Sequence, residues 1–212
     1  MTINAIIFDL DGTLLYTLED LKNSVNYALK ELNLPQRSLE EIRNFVGNGI
    51  YKLIERSVGE NSDKIEACLE IFKIHYSKTS KNNTKPYSGV IEGLKKLKSK
   101  GIKLAVLSNK IDFAVKDLTD TYFNGIFDIS RGELPDFPKK PDPKSCFDIL
   151  KKLKVKKEEA LFVGDSEVDI QTANNAEIMC LSALWGYKEK DFLIKNGAKV
   201  MIKNFEEIFN YL

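Results

Sequence analysis

The chain has 212 residues, 43% of them hydrophobic and 30% charged, which is typical of a folded protein with one good-sized core. Lys and Arg number 32 against 31 Asp and Glu, so a net charge of +1 excludes a general attraction to nucleic acid or to an anionic membrane. No apolar run approaches transmembrane length, and the three cysteines, Cys68, Cys146 and Cys180, lack the spacing of metal ligands. The first residues do not have the pattern of a signal peptide, and we expect a cytoplasmic protein that binds neither nucleic acid nor membrane.

The first predicted element is a buried strand over residues 3–8, an Ile-rich run too short for a typical helix. It leads into Asp9, Asp11, Gly12 and Thr13. Side chains on extended backbone alternate, so Asp9 and Asp11 are expected to project to the same side, at the sheet edge where α/β proteins bind ligands. Two such carboxylates suit a nucleophile or metal ligand beside a general acid/base, and an acidic turn is the alternative. Gly12 permits a close backbone approach, and Thr13 supplies a hydroxyl donor.

Helical periodicity then replaces the strand pattern from residue 17 to about residue 81. Four helices are expected, over residues 18–32, 38–45, 50–58 and 63–78, and they fit a small bundle. The second of them begins with Ser38 and Glu41, a capping-box pair. A polar, turn-forming stretch over 81–86 is the predicted return linker. We therefore expect an inserted domain over 16–82 and a core domain made of 1–15 and 83–212.

Strands and helices alternate in the rest of the chain. Helices are predicted over 90–100, 111–122, 143–153 and 168–176, followed by a closing helix at the end. Strands are predicted over 103–107, 126–129, 160–163, 178–183 and, weakly, 200–202. Such alternation indicates parallel βαβ units. The fold class is thus α/β, a Rossmann-like parallel sheet flanked by helices, with an inserted four-helix bundle.

Two further polar sites follow predicted strands or precede helices. Ser108 and Asn109 follow the strand over 103–107, where Ser108 is either a helix N-cap or, with the Asn109 amide, an anion-binding donor. Lys140 lies between Pro138 and Pro141, which restrict the backbone around it. It therefore offers a positive charge at a defined place, and a solvated loop lysine is the alternative.

A second acidic cluster follows the strand over 160–163. Asp165 and Asp169 are four residues apart, so they are expected on one face of a starting helix. Oxygen ligands without paired His or clustered Cys favour Mg²⁺ over zinc. Acidic residues that simply favour the helix dipole are the alternative.

Together, four segments resemble the motifs of the haloacid dehalogenase superfamily: Asp9-Leu10-Asp11-Gly12-Thr13, Ser108-Asn109-Lys110, Lys140-Pro141-Asp142-Pro143 and Gly164-Asp165-Ser166-Glu167-Val168-Asp169. The helical insertion after the first strand resembles the small α-helical cap of that superfamily. The resemblance covers nearly the whole chain, and the presence of Asp11 favours phosphate chemistry over dehalogenation.

The resemblance implies a role for each of these residues. Asp9 would be a nucleophile that forms an aspartyl-phosphate, and Asp11 the general acid/base. Mg²⁺ would be bound by the Asp9 carboxylate, the Asp11 backbone carbonyl and Asp165, with Asp169 as ligand or orienter. The remaining phosphate-binding groups implied are Gly12, Thr13, Ser108, Asn109 and Lys140, of which Lys140 would neutralise charge.

Within the superfamily, residues 43–49 and 86–90 are similar to phosphoglycolate phosphatases. Arg43, Gly47, Asn48 and Gly49 are accordingly predicted to contact substrate, and a plain helix break is the alternative for the glycine loop. The leading prediction is a phosphatase acting on a small phosphorylated metabolite, 2-phosphoglycolate first, as a monomer or homodimer. A β-phosphoglucomutase-like phosphomutase, a pyrophosphatase or nucleotidase, and a non-catalytic protein that binds a phosphorylated ligand are the alternatives.

Overall fold

The computed structural model describes residues 2–59, 62–135 and 137–212. It contains two compact units, one made of Met1–Leu15 and Pro86–Leu212 and the other of Tyr16–Lys85. The chain passes between the units at residues 15–16 and again at residues 85–86.

Six strands of the first unit form one parallel sheet. The strands in chain order are β1 (Ala5–Phe8), β2 (Leu15–Tyr16), β3 (Lys85–Pro86), β4 (Lys103–Ile111), β5 (Ile129–Glu133), β6 (Ala160–Gly164), β7 (Met179–Ala183) and β8 (Val200–Ile202). Apart from the two-residue strands β2 and β3, they lie in the order β5-β4-β1-β6-β7-β8. Every pair along this order is parallel.

Helices separate the strands along the chain. They are α1 (Leu18–Glu31), α2 (Leu39–Phe45), α3 (Ile50–Val58), α4 (Ile65–Thr79), α5 (Val90–Ser99), α6 (Asp112–Phe123), α7 (Lys144–Leu153), α8 (Glu167–Ala176) and α9 (Lys190–Lys195). Two 3₁₀ helices, Lys157–Glu159 and Phe205–Tyr211, complete the described structure. The predicted α/β fold with a parallel sheet is confirmed, and the predicted closing helix is of the 3₁₀ type.

The central strand β1 is buried on both faces, and its side chains alternate between two cores. Ile6 and Phe8 pack in the cluster that includes Leu94 of α5. Ala5 and Ile7 pack in the opposite cluster, which includes residues of α7 and α8. A strand covered on both faces needs apolar side chains at every position, which explains the unbroken apolar run before Asp9.

The prediction for strand β5 is wrong in position. The expected strand over 126–129 is instead the approach to β5, which begins at Ile129. Ile126 and Phe127 pack against the core from a loop. Asp128 then pairs with β4, because its amide donates to the Leu104 carbonyl at 2.8 Å and its carboxylate accepts from the Leu104 amide at 2.8 Å. Apolar burial in a loop therefore produced a strand-like pattern.

The second unit contains α1 to α4, the four helices that the periodicity predicts. The capping box of α2 is present, since Ser38 Oγ accepts from the Glu41 amide and the Glu41 carboxylate accepts from the Ser38 amide. Among the described residues, no helix combines the length and the apolar character that a membrane crossing requires.

Asp20 fixes the end of the second unit to its first helix. The carboxylate is 1% exposed and lies in the first turn of α1, where the helix dipole favours a negative charge. It accepts hydrogen bonds from the amide and side chain of Asn83, at 3.0 and 2.8 Å, and from the amide and hydroxyl of Thr84, at 2.9 and 2.8 Å. One buried carboxylate thus satisfies four donors of the return segment.

Replacing Asp20 by Ala is expected to lower the stability of the protein by about 3 kcal/mol, because buried donors lose their acceptor. For a chain of this length, that loss corresponds to a fall in melting temperature of roughly 6–12 °C. The melting temperature of Asp20→Asn should lie between those of Asp20→Ala and the wild type. The adjacent Glu19→Ala, which removes a partly exposed ion pair with Lys22, should change the melting temperature little. Equal melting temperatures for Asp20→Ala and Glu19→Ala in thermal denaturation would refute this account.

Candidate active site

The carboxyl ends of three neighbouring strands bring the predicted residues to one edge of the sheet. In register, Phe8 of β1 lies between Val106 of β4 and Val163 of β6. Asp9 therefore leaves the sheet beside the last residues of β6 and beside the part of β4 that leads to Ser108. This placement follows from the parallel topology alone.

Asp9, Asp165 and Asp169 form a buried three-carboxylate cluster. One oxygen from each can be chosen so that all three lie within 4.8 Å of one another. The helix-face argument for Asp165 and Asp169 is wrong in detail, because α8 begins only at Glu167 and Asp165 precedes its N-cap. The two meet because Gly164 has no side chain, and a Cβ there would overlap the Asp169 carboxylate.

Lys140 lies between two of these carboxylates. Its Nζ is 2.9 Å from Asp9 Oδ1 and 2.7 Å from Asp169 Oδ1, and its side chain is 2% exposed. Burial alone would lower the pKa of Lys140, but the charges of Asp169 and Asp9 outweigh that effect and raise the pKa. The predicted loop lysine is therefore a fixed cation inside the acidic cluster.

The side chain of Asn109 holds the backbone of Lys140. Asn109 Oδ1 accepts from the Lys140 amide at 2.8 Å, and Nδ2 donates to the Lys140 carbonyl at 3.0 Å. The sequence predicts that the Asn109 backbone amide binds an anion, and it does not predict this contact of the Asn109 side chain. Ser108 is not a helix N-cap, because β4 continues to Ile111 and α6 begins at Asp112. Its hydroxyl accepts from the Lys110 amide at 3.3 Å, which leaves its proton able to bind a ligand oxygen.

Asp9 is held through one oxygen only. Oδ1 accepts from the Leu10 amide at 2.7 Å and contacts Lys140, whereas the described residues place no hydrogen bond on Oδ2. Burial is the main cause that raises the pKa of Asp9 to about 7, followed by the charge of Asp169, while Lys140 acts in the opposite direction. The contacts thus orient Asp9 through Oδ1, and Oδ2 remains available to act as a nucleophile.

Asp165 is enclosed by its neighbours. Thr13 Oγ1 donates to Oδ1 at 3.0 Å, and the Tyr187 amide donates to Oδ2 at 2.7 Å. Gly12 has φ +86°, and a Cβ there would overlap this carboxylate. Burial, then the charges of Asp169 and Asp9, raise the pKa of Asp165 well above its usual value. The Thr13 hydroxyl is a donor, as predicted, and in this structure it donates to Asp165. Phosphate binding by Thr13 stays a prediction.

Both oxygens of Asp169 already have protein donors. Oδ1 accepts from Lys140 at 2.7 Å, and Oδ2 accepts from the amide and hydroxyl of Ser166 at 3.1 and 2.7 Å. The carboxylate is fully buried. Asp169 therefore holds Lys140 and Ser166 in place, and direct ligation of a metal by Asp169 stays a prediction.

Asp11 is not part of the three-carboxylate cluster. Its oxygens pair instead with Lys110 Nζ, at 3.0 and 2.9 Å. The charge of Asp11 nevertheless contributes to raising the pKa of Asp9, so the two carboxylates of the first motif interact. Lys110 follows Asn109 directly in the sequence, and only this position indicated that Lys110 belongs to the site.

Trp185 is a second contributor that the sequence did not predict. Its Nε1 donates to the Thr13 carbonyl at 2.9 Å, which fixes the loop after β1. An isolated Trp carries no pattern that distinguishes this contact from ordinary packing.

The remaining predicted residues lie in the second unit. Arg43 is in the last turn of α2, and Gly47, Asn48 and Gly49 lead into α3. The glycine loop does break the helices, with φ +123° at Gly47 and φ +85° at Gly49. In the described part of the chain, Asn48 Nδ2 is buried and has no hydrogen-bond partner. Substrate contact by these residues stays a prediction.

The acidic cluster fits a divalent cation. In the described residues, the three carboxylates of Asp9, Asp165 and Asp169 share one ion-pair partner, Lys140. Full ionisation would leave two uncompensated negative charges in a buried site, which is costly without a cation. The donors are all oxygen atoms, as Mg²⁺ prefers.

Comparisons with known proteins show which proteins the chain resembles. A family model described as haloacid dehalogenase-like hydrolase matches residues 6–183. The chain is 37% identical over 184 residues to a phosphoglycolate phosphatase of Aquifex aeolicus, a match that covers 86% of this chain and 85% of the relative. It is 36% identical over 198 residues to a phosphoglycolate phosphatase of Nitrosospira multiformis, with 89% and 86% covered.

A solved structure extends the likeness to the whole chain. The crystal structure of a candidate phosphoglycolate phosphatase from Lactobacillus delbrueckii subsp. bulgaricus superposes with a TM-score of 0.95 at 33% identity. The superposition covers 100% of this chain and 98% of that one.

Proposed function

The chain belongs to the haloacid dehalogenase-like hydrolases and is a phosphatase, and from this premise we propose that it hydrolyses 2-phosphoglycolate through a phosphorylated Asp9, with Mg²⁺ as cofactor. The observation that carries the proposal is the state of the Asp9 carboxylate. One oxygen is held by the Leu10 amide and Lys140, and the other is free to attack.

The proposed reaction has two steps. Asp9 Oδ2 forms a bond to phosphorus as the bond to the leaving oxygen breaks, and Asp11 gives that oxygen a proton. Water then attacks the phosphorus as its bond to Asp9 breaks, and Asp11 takes the proton from the water. Lys140 and the Ser108 hydroxyl offset the charge on the phosphoryl oxygens, because such transfer depends on positioning and electrostatic stabilisation.

The proposed metal ligands are the Asp9 carboxylate, the Asp11 backbone carbonyl and Asp165. Mg²⁺ bound there would supply positive charge to the transferring phosphoryl group. Asp169 would act through Lys140 and Ser166, which it holds.

The choice of 2-phosphoglycolate is supported by the similarity of the chain to the phosphoglycolate phosphatases of Aquifex aeolicus and Nitrosospira multiformis. Arg43 and Asn48 stay the predicted specificity residues, and a guanidinium suits a substrate carboxylate. The test is phosphate release by the purified protein from 2-phosphoglycolate, pyrophosphate, nucleoside monophosphates and sugar phosphates, with Mg²⁺ or with chelator. We expect Mg²⁺-dependent release with the highest kcat/KM for 2-phosphoglycolate. Preference for another compound would refute this substrate, and an isomerised sugar phosphate with little free phosphate would identify a mutase.

Replacing Asp165 by Asn should stabilise the metal-free protein while abolishing its function. Burial and neighbouring carboxylates raise the pKa of Asp165 in the folded state, so protonation of Asp165 stabilises the folded protein. The stabilisation that protonated Asp165 gives is complete below pH about 4, and it is lost as the pH rises through the raised pKa. With chelator at pH 8, Asp165→Asn should therefore melt higher than the wild type by a few degrees, about 2–4 °C for each kcal/mol. The difference should shrink at pH 5.

Added Mg²⁺ provides the second half of that test. The wild type should gain stability through binding, and Asp165→Asn should gain little. If the variant melts below the wild type at every pH in chelator, ionised Asp165 is not a destabilising group in the metal-free fold.

A further inference from the structure

Lys110 is a buried cation at the carboxyl end of β4 to which the two reaction steps above give no role. Its side chain is 2% exposed and that of Asp11 is 13% exposed. The ammonium group contacts both carboxylate oxygens, at 3.0 Å from Oδ1 and 2.9 Å from Oδ2. A lysine held this deeply against one carboxylate restricts the orientation of that carboxylate.

The backbone on the Asp11 side of this pair is already fixed. The amides of Leu14 and Leu15 donate to the Leu10 carbonyl, each at 3.0 Å, and the Gly12 amide donates to the Leu15 carbonyl at 2.9 Å. The loop therefore leaves the Asp11 side-chain torsions as the main freedom of the carboxylate. Contact with Lys110 removes that freedom.

The Lys110 side of the pair is fixed as well. The pairing of β4 with β5 is irregular between Leu107 and Ile111, so Lys110 does not follow the simple alternation of a strand. Gly132 of β5 packs against the Lys110 carbonyl so closely that a Cβ would overlap it. The amide of Gly132 donates to Asp112 at 2.9 Å, which ties β5 to the start of α6.

We propose that Lys110 is a positioning residue for Asp11, holding its carboxyl group where, in the protonated form, it can give a proton to the leaving oxygen. The carboxylate that this transfer leaves is then held where it can take a proton from water. This inference rests on the proposed function. Lys110 exchanges no proton and forms no bond in either step. Holding a proton donor in a productive orientation lowers the barrier, because the freedom lost in reaching that orientation is lost before the reaction.

Two substrates with different leaving groups distinguish a positioning role of Lys110 from a merely structural one. The alkoxide formed from 2-phosphoglycolate needs a proton as it leaves, whereas p-nitrophenolate leaves without one. Lys110→Met keeps an unbranched side chain of similar length and removes its charge. We expect its kcat for 2-phosphoglycolate to fall by roughly 10²-fold, with little change in KM, because general acid catalysis contributes about 10²–10⁴-fold.

With p-nitrophenyl phosphate, the same variant should behave differently in a pre-steady-state experiment. The first step should stay fast, and the second should slow because Asp11 no longer activates water well. The result would be a burst of p-nitrophenolate equal to the enzyme concentration, followed by slow turnover. Asp11→Asn should show the same burst. Lys110→Arg, which keeps a cation that can contact both oxygens, should recover at least part of the lost activity with 2-phosphoglycolate.

The double variant Asp11→Asn/Lys110→Met completes the test. If Lys110 acts through Asp11, the double variant should be as active as Asp11→Asn alone. It also removes the carboxylate charge that Lys110→Met leaves without its lysine, so it gives a result even if Lys110→Met alone fails to fold.

Three outcomes would overturn the inference. Unchanged kinetics in Lys110→Met would show that Asp11 does not need this contact. A rise in KM with both substrates, or a further loss in the Asp11→Asn background, would show that Lys110 contacts the substrate itself. Full activity of Asp11→Asn would instead overturn the proposed acid/base role of Asp11, and with it the proposed function from which this inference starts.

Discussion

Replacing Asp9 by Asn should abolish phosphatase activity, with a fall in kcat of at least about 10⁴-fold, as expected when a nucleophile is removed. The amide has no anionic oxygen with which to attack phosphorus. The fold should persist, because the Asn carbonyl oxygen can still accept from the Leu10 amide and Lys140. Phosphate release with Mg²⁺ and circular dichroism would measure the two effects.

A matched control for this variant is Asp120→Asn, which alters an exposed aspartate of α6. Its activity should equal that of the wild type. If Asp9→Asn kept activity comparable to this control, Asp9 would not be the nucleophile.

Replacing Lys140 by Met should reduce both activity and stability. The substitution leaves Asp9 and Asp169 without their shared cation in a buried site, where breaking an ion pair by removing one partner costs about 3–5 kcal/mol. It also removes a positive charge that the proposed transition state uses, for which a loss of roughly 10²–10³-fold in kcat is expected. Thermal denaturation and steady-state kinetics measure the two losses.

The neighbouring Lys139→Met serves as the control for Lys140→Met. Lys139 is exposed and pairs with Glu133 at 3.1 Å on the surface. Its removal should change the melting temperature and kcat little. Similar effects of the two substitutions would mean that the position of Lys140 between the carboxylates has no functional importance.

Much of the fold was predictable because it depends on local pattern. The buried run before Asp9 and the alternation of strands and helices predict a parallel sheet, and parallel strands place Asp9, Ser108 and Asp165 at one edge. The strand predicted over 126–129 failed because Ile126 and Phe127 bury apolar surface from a loop. Apolar pattern alone does not distinguish the two cases.

The pairing of charges within the site was less predictable. Nothing local indicates that Lys140 contacts Asp9 and Asp169 while Lys110 contacts Asp11, since these partners are distant in sequence. The side-chain contact of Asn109 with the Lys140 backbone has the same character. The irregularity of β4 beyond Leu107 also makes the directions of its last side chains unreadable from strand alternation.

For Asp169, the sequence predicted the location but not the contacts. Its spacing from Asp165 indicated a shared site, but the reason given for it, a common helix face, was wrong. Ser166 and Lys140 occupy both of its oxygens, a fact that only the three-dimensional structure supplies.

The central claim of this account is that Asp9 carries the phosphoryl group between the two steps. The most direct measurement is rapid acid quenching during turnover of p-nitrophenyl phosphate by Asp11→Asn, in which the second step is expected to be slow, followed by mass spectrometry of the peptide that contains Asp9. The account predicts that this peptide gains the mass of one phosphoryl group on Asp9 and that the Asp9→Asn protein shows no such gain. A variant that turns over substrate with a detectable burst and yet carries the phosphoryl group on another residue, or on none, would contradict the claim.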